Sequence, residues 1–342
     1  MQAMLDRAVS VFEHNYRHAP LTTKLLVTIG LLWSARQTAS ILSATHLYFI
    51  RSSKLNRYIA NPSTDDPTKQ TWALVTGASD GIGRGFAEEL LSRKINVVLH
   101  GRNETKLNRI RDELLALFPK QQVRLVVLDA YTATGSATAL DEAASSLSDL
   151  NLRILINNVA GGGTTKTLWD PLTARSHSEV DQMIGISAGF MTQITRVLLP
   201  QLQRNQPSLI INIGSGISDF ATPYIEVIAG TKAYNQAFSR SLGLEMQVEN
   251  HDIEVLLLQV GAVSSATSPR PTSLLVPSSR RFAKAGLDVV GCGREVVWPY
   301  WPHALQFQGL IMRFPVWLRN MMITGIAKKE WKEEQEKLKR EE

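Results

Sequence analysis

The residues best suited to chemistry begin with Thr76-Gly77-Ala78-Ser79-Asp80-Gly81-Ile82-Gly83, which follows the short apolar run WALVT (72–76) and leads into a helical stretch. Strand, glycine-rich turn and helix, in that order, build a phosphate cradle. Gly77 can make the tight turn, Gly81 lets the backbone approach a phosphate, and Gly83 permits close helix packing. The helix N-terminus then offers free N–H groups and a positive dipole end to a pyrophosphate. A bare glycine pattern is a weak signal, and the strand–turn–helix context makes this one specific. Val75, Gly77, Ser79, Asp80, Gly81, Ile82 and Gly83 are therefore the expected first contacts of a dinucleotide.

The next apolar run, INVVLH (95–100), ends in His100-Gly101-Arg102-Asn103. An acid at the end of this strand would hold the ribose 2′-hydroxyl of NAD. None is present, and Arg102 suits a 2′-phosphate, so NADP(H) is the expected cofactor. A plain surface charge is the bland alternative for Arg102. Glu104 reads as a first-turn residue of the following helix. Asp129, ending the third run, either contacts the adenine edge or caps the loop after it. Asn157-Asn158-Val159-Ala160-Gly161 ends the fourth run at the same sheet edge, which makes Asn158 a further cofactor contact.

What must position these residues is an alternation of apolar runs and helix-length stretches. RLVVLD (124–129), LRILIN (152–157), SLIINI (208–213) and IEVLLLQ (253–259) continue the strands, with helical stretches at 103–118, 178–204 and 229–249. This pattern predicts an α/β fold, a Rossmann-type doubly wound parallel sheet covered on both faces. The alternation is expected to stop near residue 260. Residues 296–326 are rich in tryptophan and proline and broken by Arg313 and Arg319, which suits either a membrane interface or apolar channel wall, or the core helices of a C-terminal part. The tail, 327–342, carries six basic and six acidic residues and reads as a charged, solvated helix.

Composition narrows the function classes. The chain has 342 residues, 44% of them apolar, which excludes a wholly disordered protein. A lone cysteine, Cys292, excludes a disulfide framework and a cysteine-based zinc site, and the seven histidines show no metal spacing, so no metal is expected. The net charge of +6 is localised: residues 1–70 hold eight Lys/Arg against four acids, and the central body is nearly neutral. With no clustered basic stripe, nucleic acid is not an expected partner. The excess flanks LLVTIGLLWSARQTASILSATHLYFI (25–50), two apolar stretches around Arg36-Gln37, read as a membrane segment that spans the bilayer or lies in its interface. Membrane lipid is thus the expected acidic partner. Three Lys/Arg precede the segment and four follow it, a lean towards a cytosolic body. The expected organisation is a flank (1–24), the membrane segment (25–50), a linker (51–70), a nucleotide-binding domain (71–270), an extension facing substrate or membrane (271–326) and the charged tail (327–342).

TGASDGIG, the NNVA-G stretch and the Ser215…Lys232 spacing resemble the short-chain dehydrogenase/reductase family. ASDGIG, NVVLHGRN..KL, Leu198-Leu199-Pro200 (taken as a turn), VSSATS (263–268) and WPYWPHALQF (298–307) resemble its membrane-bound branch, the fungal very-long-chain 3-oxoacyl-CoA reductases and the related 17β-hydroxysteroid dehydrogenases. The resemblance covers most of residues 70–330. It implies NADPH-dependent reduction of a keto group on a long apolar substrate: a 3-oxoacyl thioester, a steroid or a secondary metabolite. It also implies an endoplasmic-reticulum membrane location with the catalytic domain in the cytosol, and a homodimer or an elongation-type complex as the assembly.

The family works with a serine that binds the carbonyl, a tyrosine that protonates the developing alkoxide, a lysine that holds the nicotinamide ribose, and a supporting asparagine. Ser215 and Lys232 match the serine and the lysine, Ser187 falls on the asparagine position, and Val263 would offer its backbone to the nicotinamide amide. The tyrosine position, thirteen after Ser215 and four before Lys232, holds Ile228. Three readings follow. Another group donates the proton: Tyr224, one turn upstream though preceded by Pro223, or water on Ser215, whereas Tyr234 would face another way. Alternatively the fold binds cofactor but acts as a partner or regulator. In the third reading the site is turned to a non-redox isomerisation or dehydration. The resemblance favours the reductase.

Overall fold

The computed structural model describes residues 2–60, 69–161, 165–265 and 269–341; residues 61–68 of the expected linker (51–70) and the end of VSSATS (266–268) lie outside them. The chain divides into two units, residues 1–51 and 52–342.

The first unit is helical. α1 (Gln2–His18) is followed by α2 (Leu21–Thr45), which runs on through a wide turn to Ile50. The helix starts four residues ahead of the apolar stretch, directly after Pro20, whose φ of −54° and ψ of 153° place it outside the helix as its N-cap. Leu21–Ile50 is 30 residues long and contains an 18-residue window with a mean hydropathy of 1.3. At 1.5 Å per residue it is about 45 Å long, more than a bilayer's hydrocarbon core of roughly 30 Å. Leu25, Leu26, Ile29, Leu32, Trp33, Ile41 and Leu42 are all exposed on it.

The second unit is built on seven parallel strands: β1 (Thr71–Val75), β2 (Asn96–Gly101), β3 (Val123–Val127), β4 (Asn151–Asn157), β5 (Ser208–Ile213), β6 (Ile253–Leu258) and β7 (Val296–Val297). Their order is β3-β2-β1-β4-β5-β6-β7. Every residue of β1, β2 and β5 is buried, as expected for strands covered on both faces. Helices α3 (Gly81–Ser92), α4 (Glu104–Leu117), α5 (Ala130–Thr134), α6 (Ala137–Ser145), α7 (His177–Ile184), α8 (Phe190–Arg204) and α9 (Glu226–Val248) connect the strands. The strand order reverses between β1 and β4, so the crevice beyond their carboxyl ends is where such a sheet takes a ligand.

Four sequence expectations change. The alternation does not stop near residue 260: α10 (Ser279–Asp288) packs against α3, and β7 adds a seventh strand beside β6. A two-residue strand carries too short an apolar run to be read in advance. The segment 296–326 divides. Trp298, Tyr300 and His303 are buried, the last on α11 (Trp301–Ala304), whereas Leu305, Leu310, Val316, Trp317, Met321 and Ile326 are exposed. Leu198-Leu199-Pro200 is not a turn; it lies inside α8. Finally, the charged tail is not simply solvated. It forms the end of α12 (Val316–Glu341), on which Ile323 and Ala327 are buried and Trp331, Glu334 and Gln335 are half-buried, a covered stripe at helical spacing.

Candidate active site

The glycine-rich turn has the conformation its sequence requires. Gly77 and Gly81 have φ +64° and +53°, angles that L side chains rarely adopt. At Gly83 a Cβ would lie 2.3 Å from the Gly77 carbonyl oxygen. Gly83 thus lets the loop fold back on itself, while the close helix packing expected there occurs at Gly85, where a Cβ would meet the Ser279 backbone of α10 at 2.6 Å. Thr76 and Asn158 hold the loop from the other side. The Thr76 hydroxyl accepts the Asn158 N–H at 2.8 Å, and the Asn158 side-chain amide donates to the carbonyls of Thr76 at 3.0 Å and Gly77 at 3.3 Å. Asn158 is therefore a brace of the cradle. Asp80 caps α3 by accepting the Gly81 N–H at 2.6 Å. Ser79 and Ile82 are half-buried beside it, and Val75 is buried on β1.

Two residues that sequence reasoning passed over act on this loop. His100, fully buried at the end of β2, accepts the Gly77 N–H on Nδ1 at 3.4 Å and stacks on Phe190 with ring centroids 4.9 Å apart. Burial pushes its imidazolium down to about 4, so the ring is a neutral acceptor at physiological pH. Lys106, in the first turn of α4, pairs with Asp80 at 2.9 Å and so brings a second cation to the nucleotide end. Its only sequence signal was the KL that follows HGRN.

Arg102 leaves the end of β2 with 65% of its side chain exposed, and its nearest acid is Asp129 at 3.9 Å. Asp129 takes the capping role: it accepts the N–H groups of Tyr131 and Thr132, each at 3.0 Å, at the start of α5. Glu104 opens α4 behind the Asn103 cap, as expected. The cradle at the α3 N-terminus and the exposed Arg102 fit an NADP-type nucleotide, whose pyrophosphate and 2′-phosphate need those two features.

The catalytic end is assembled by a polar chain running between strands and helices. Asn157 on β4 donates to Thr195 at 2.9 Å and to Asn212 on β5 at 2.8 Å. Asn212 donates to Ser239, Ser239 to the Asn235 carbonyl, and the Asn235 amide to the Ser187 carbonyl at 3.1 Å. Ser187 is fully buried in a wide π turn (185–189) joining α7 to α8, and its hydroxyl accepts the Gly161 N–H at 3.3 Å. Such turns recur at functional sites because they re-aim a helix. Lys232, three residues before Asn235 on α9, is buried and donates to the Ile213 carbonyl at 2.8 Å. Burial pushes its ammonium down to about 8. Ser215 follows two residues after Ile213 and caps a short turn, its hydroxyl accepting the Ile217 N–H at 3.4 Å.

Ser187, Lys232 and Ser215 are thus drawn together at the carboxyl ends of β4 and β5. Ile228, one turn before Lys232, is buried with 8% exposure. Tyr224 lies in the loop that Pro223 announced, with φ +71°, and borders one pocket with Ile228, Leu168, Leu172, Arg175 and Met183. Tyr234 faces elsewhere: it is exposed, and its hydroxyl bonds Thr192 on α8 at 2.9 Å.

A further support comes from the segment after β7. Trp298 stacks on Phe307 at 4.6 Å and lies under the Ser215 turn, where a Cβ on Gly216 would meet its ring at 2.5 Å. His303 accepts the Gly261 N–H at 3.4 Å and bonds the Leu275 carbonyl at 3.1 Å. Together they hold the chain on either side of buried Val263, at the end of β6.

A model of the short chain dehydrogenase family matches residues 71–272. The very-long-chain 3-oxoacyl-CoA reductase of Scheffersomyces stipitis is 31% identical over 329 residues, 90% of this chain and 88% of that protein. Its counterpart from Emericella nidulans is 33% identical over 248 residues, 69% and 68% of the two chains. Among solved structures, a short-chain dehydrogenase from Sphingobium yanoikuyae in complex with NADPH superposes with a TM-score of 0.58 at 22% identity, over 72% of this chain and 96% of that one. A short chain dehydrogenase from Pseudomonas syringae gives 0.60 at 22% identity, over 70% and 97%.

Proposed function

The chain belongs to the short-chain dehydrogenase family, and from that premise we propose that it is an NADPH-dependent reductase of a long apolar ketone, most simply a 3-oxoacyl thioester, working at a membrane surface. The observation that carries the reading is the pocket shared by Tyr224 and Ile228. The position that should supply the acid holds a buried isoleucine, and a phenol from the preceding loop borders the same apolar space.

In this reading, bound NADPH supplies the hydride. Ser215 holds the substrate oxygen, and the Tyr224 phenol delivers the proton that the alkoxide needs at neutral pH. Lys232, still mainly a cation at physiological pH, orients the ribose from α9 beside the end of β5. Leu168, Leu172 and Met183 give this small pocket its apolar lining. The names of the fungal relatives support a 3-oxoacyl-CoA, and the exposed Arg102 beside the cradle supports the phosphorylated nucleotide.

Membrane attachment rests on the apolar helix Leu21–Ile50 and on the exposed Leu310, Val316, Trp317 and Met321, a set suited to the lipid interface. The lean in Lys/Arg count supports a cytosolic body, and the likeness to the fungal 3-oxoacyl-CoA reductases supports the endoplasmic reticulum.

A second reading is favoured by one residue: the position of the usual acid holds the buried Ile228, which can donate no proton. The chain would then bind NADPH and act as a partner. The deciding experiment follows NADPH consumption by the detergent-solubilised full chain with a long 3-oxoacyl-CoA, alongside NADPH binding by titration calorimetry. Turnover supports the reductase. Tight binding without turnover leaves the partner reading, and absence of binding removes both.

A further inference from the structure

The charged C-terminal helix grips the loop that walls the pocket. Glu334 Oε2 accepts two backbone N–H groups, from Leu168 at 2.9 Å and Trp169 at 2.8 Å. Gln335 donates to Asp170 at 2.9 Å, and Arg270 reaches Glu330 at 3.4 Å. Trp331 stacks on the Tyr224 ring, with centroids 5.7 Å apart and planes 25° from parallel. The loop is itself knotted. Arg175 donates to the carbonyls of Thr167 at 2.8 Å and Leu168 at 2.5 Å, Thr167 bonds Asp170, and the Asp170 N–H donates to the Tyr224 carbonyl at 3.3 Å. One helix face therefore holds both walls of one pocket, the 167–175 loop and Tyr224.

The geometry points to Trp331 and Glu334 as positioning residues: the C-terminal helix sets the shape of the substrate pocket by fixing Tyr224 through Trp331 and the Leu168–Trp169 backbone through Glu334. A carboxylate bonded to two amides makes charge-assisted bonds, about twice as strong as neutral ones. A tyrosine at positive φ keeps that backbone conformation only where its surroundings hold it, and the ring contact with Trp331 is one such hold. Nothing on the helix touches the nucleotide cradle among the described contacts, so its effect falls on the ketone side. The inference rests on the reading above in taking this pocket as the substrate's.

The test uses the full chain in detergent with Trp331→Ala and Glu334→Ala, beside the conservative Trp331→Phe and Glu334→Gln. Tryptic cleavage after Arg175, whose guanidinium is bound within the loop, reports the grip without any turnover. NADPH affinity is measured by calorimetry, and KM and kcat are measured with a long 3-oxoacyl-CoA. The alanine variants are expected to speed cleavage after Arg175 about tenfold and to raise KM about tenfold with NADPH affinity within about twofold of the parent, and Trp331→Phe to restore both. Unchanged cleavage and unchanged KM in both alanine variants overturn the inference. So does a loss of NADPH affinity in step with faster cleavage that the conservative variants share, since that marks general unfolding. If no ketone is consumed by the parent, the reductase reading fails separately and cleavage with preserved NADPH affinity decides the grip alone.

Discussion

The Lys232 ammonium donates to the Ile213 carbonyl at 2.8 Å, inside a site where burial has lowered its proton affinity to about 8 from 10.5. Between those two values the unfolded chain binds a proton at this residue that the folded chain has released, so folding stability rises with pH across the window. Below about 8 the desolvation cost is present in full. Lys232→Met removes this component, on the order of 3 kcal/mol at neutral pH. Urea midpoints of both proteins between pH 7.5 and 10 check it. Parallel pH curves for parent and variant would contradict the assignment.

Ile228 stands one helical turn before Lys232 on α9, so a phenol placed there shares its face. Ile228→Tyr is expected to raise kcat by roughly 100-fold or more, the usual worth of a positioned general acid. Steady-state kinetics with NADPH and the ketone read it. No gain would mean that the site has lost more than its acid.

Tyr224→Phe keeps the ring that stacks on Trp331 and removes only the hydroxyl. It should lower kcat about 100-fold while KM stays within about threefold. Full activity in this variant would transfer the proton to another group, water on Ser215 being the next candidate.

Arg102→Ala tests the nucleotide preference. Loss of a charge-assisted contact to a 2′-phosphate should weaken NADPH binding about 10- to 100-fold and leave NADH binding nearly unchanged. Equal losses for both nucleotides would show that Arg102 does not read the 2′ position. Lys106, already paired with Asp80, should show a smaller effect on both.

His100→Phe keeps a ring against Phe190 but deletes the acceptor of the Gly77 N–H. NADPH affinity should fall several-fold, consistent with the worth of one hydrogen bond. In the parent, His100 stays neutral down to about pH 4 while the unfolded chain is protonated near 6.5. Its share of stability is therefore present above 6.5 and lost as pH falls towards 4. Thermal melts from pH 7 to 4.5 should show the parent losing more than the variant.

How far these features could be read in advance follows from how local their causes are. β1, β2 and β5 announce themselves because buried parallel strands are unbroken apolar runs. The cradle announces itself because Gly77 and Gly81 need angles that only glycine takes freely. Ser215, Lys232 and the exception at Ile228 follow from fixed spacing along one strand end and one helix. The grip of Glu334 on Leu168 and Trp169 has no such signature: in a tail with six acids and six bases, every face looks solvated. Trp298 gave a similar difficulty. Its aromatic, proline-rich neighbourhood suits a membrane interface as well as a core, and only the closeness of Gly216 tells them apart. His100 and Lys106 are single residues whose roles depend on partners 23 and 26 positions away.

The wide turn at Gly185–Gly189 has a consequence for how this chain tolerates length change. A π turn holds one more residue than the α-helical turn it replaces. Deleting any one residue there would convert it to ordinary helix and rotate everything upstream by about 100°. Ser187 would lose its alignment with both Gly161 and Asn235, and the polar chain that runs from Asn157 to Asn235 would be cut off from this turn. At this one place the count of residues matters more than their identity: a single-codon deletion would act as a change of phase, while most substitutions on the exposed side of the same helix would pass unnoticed.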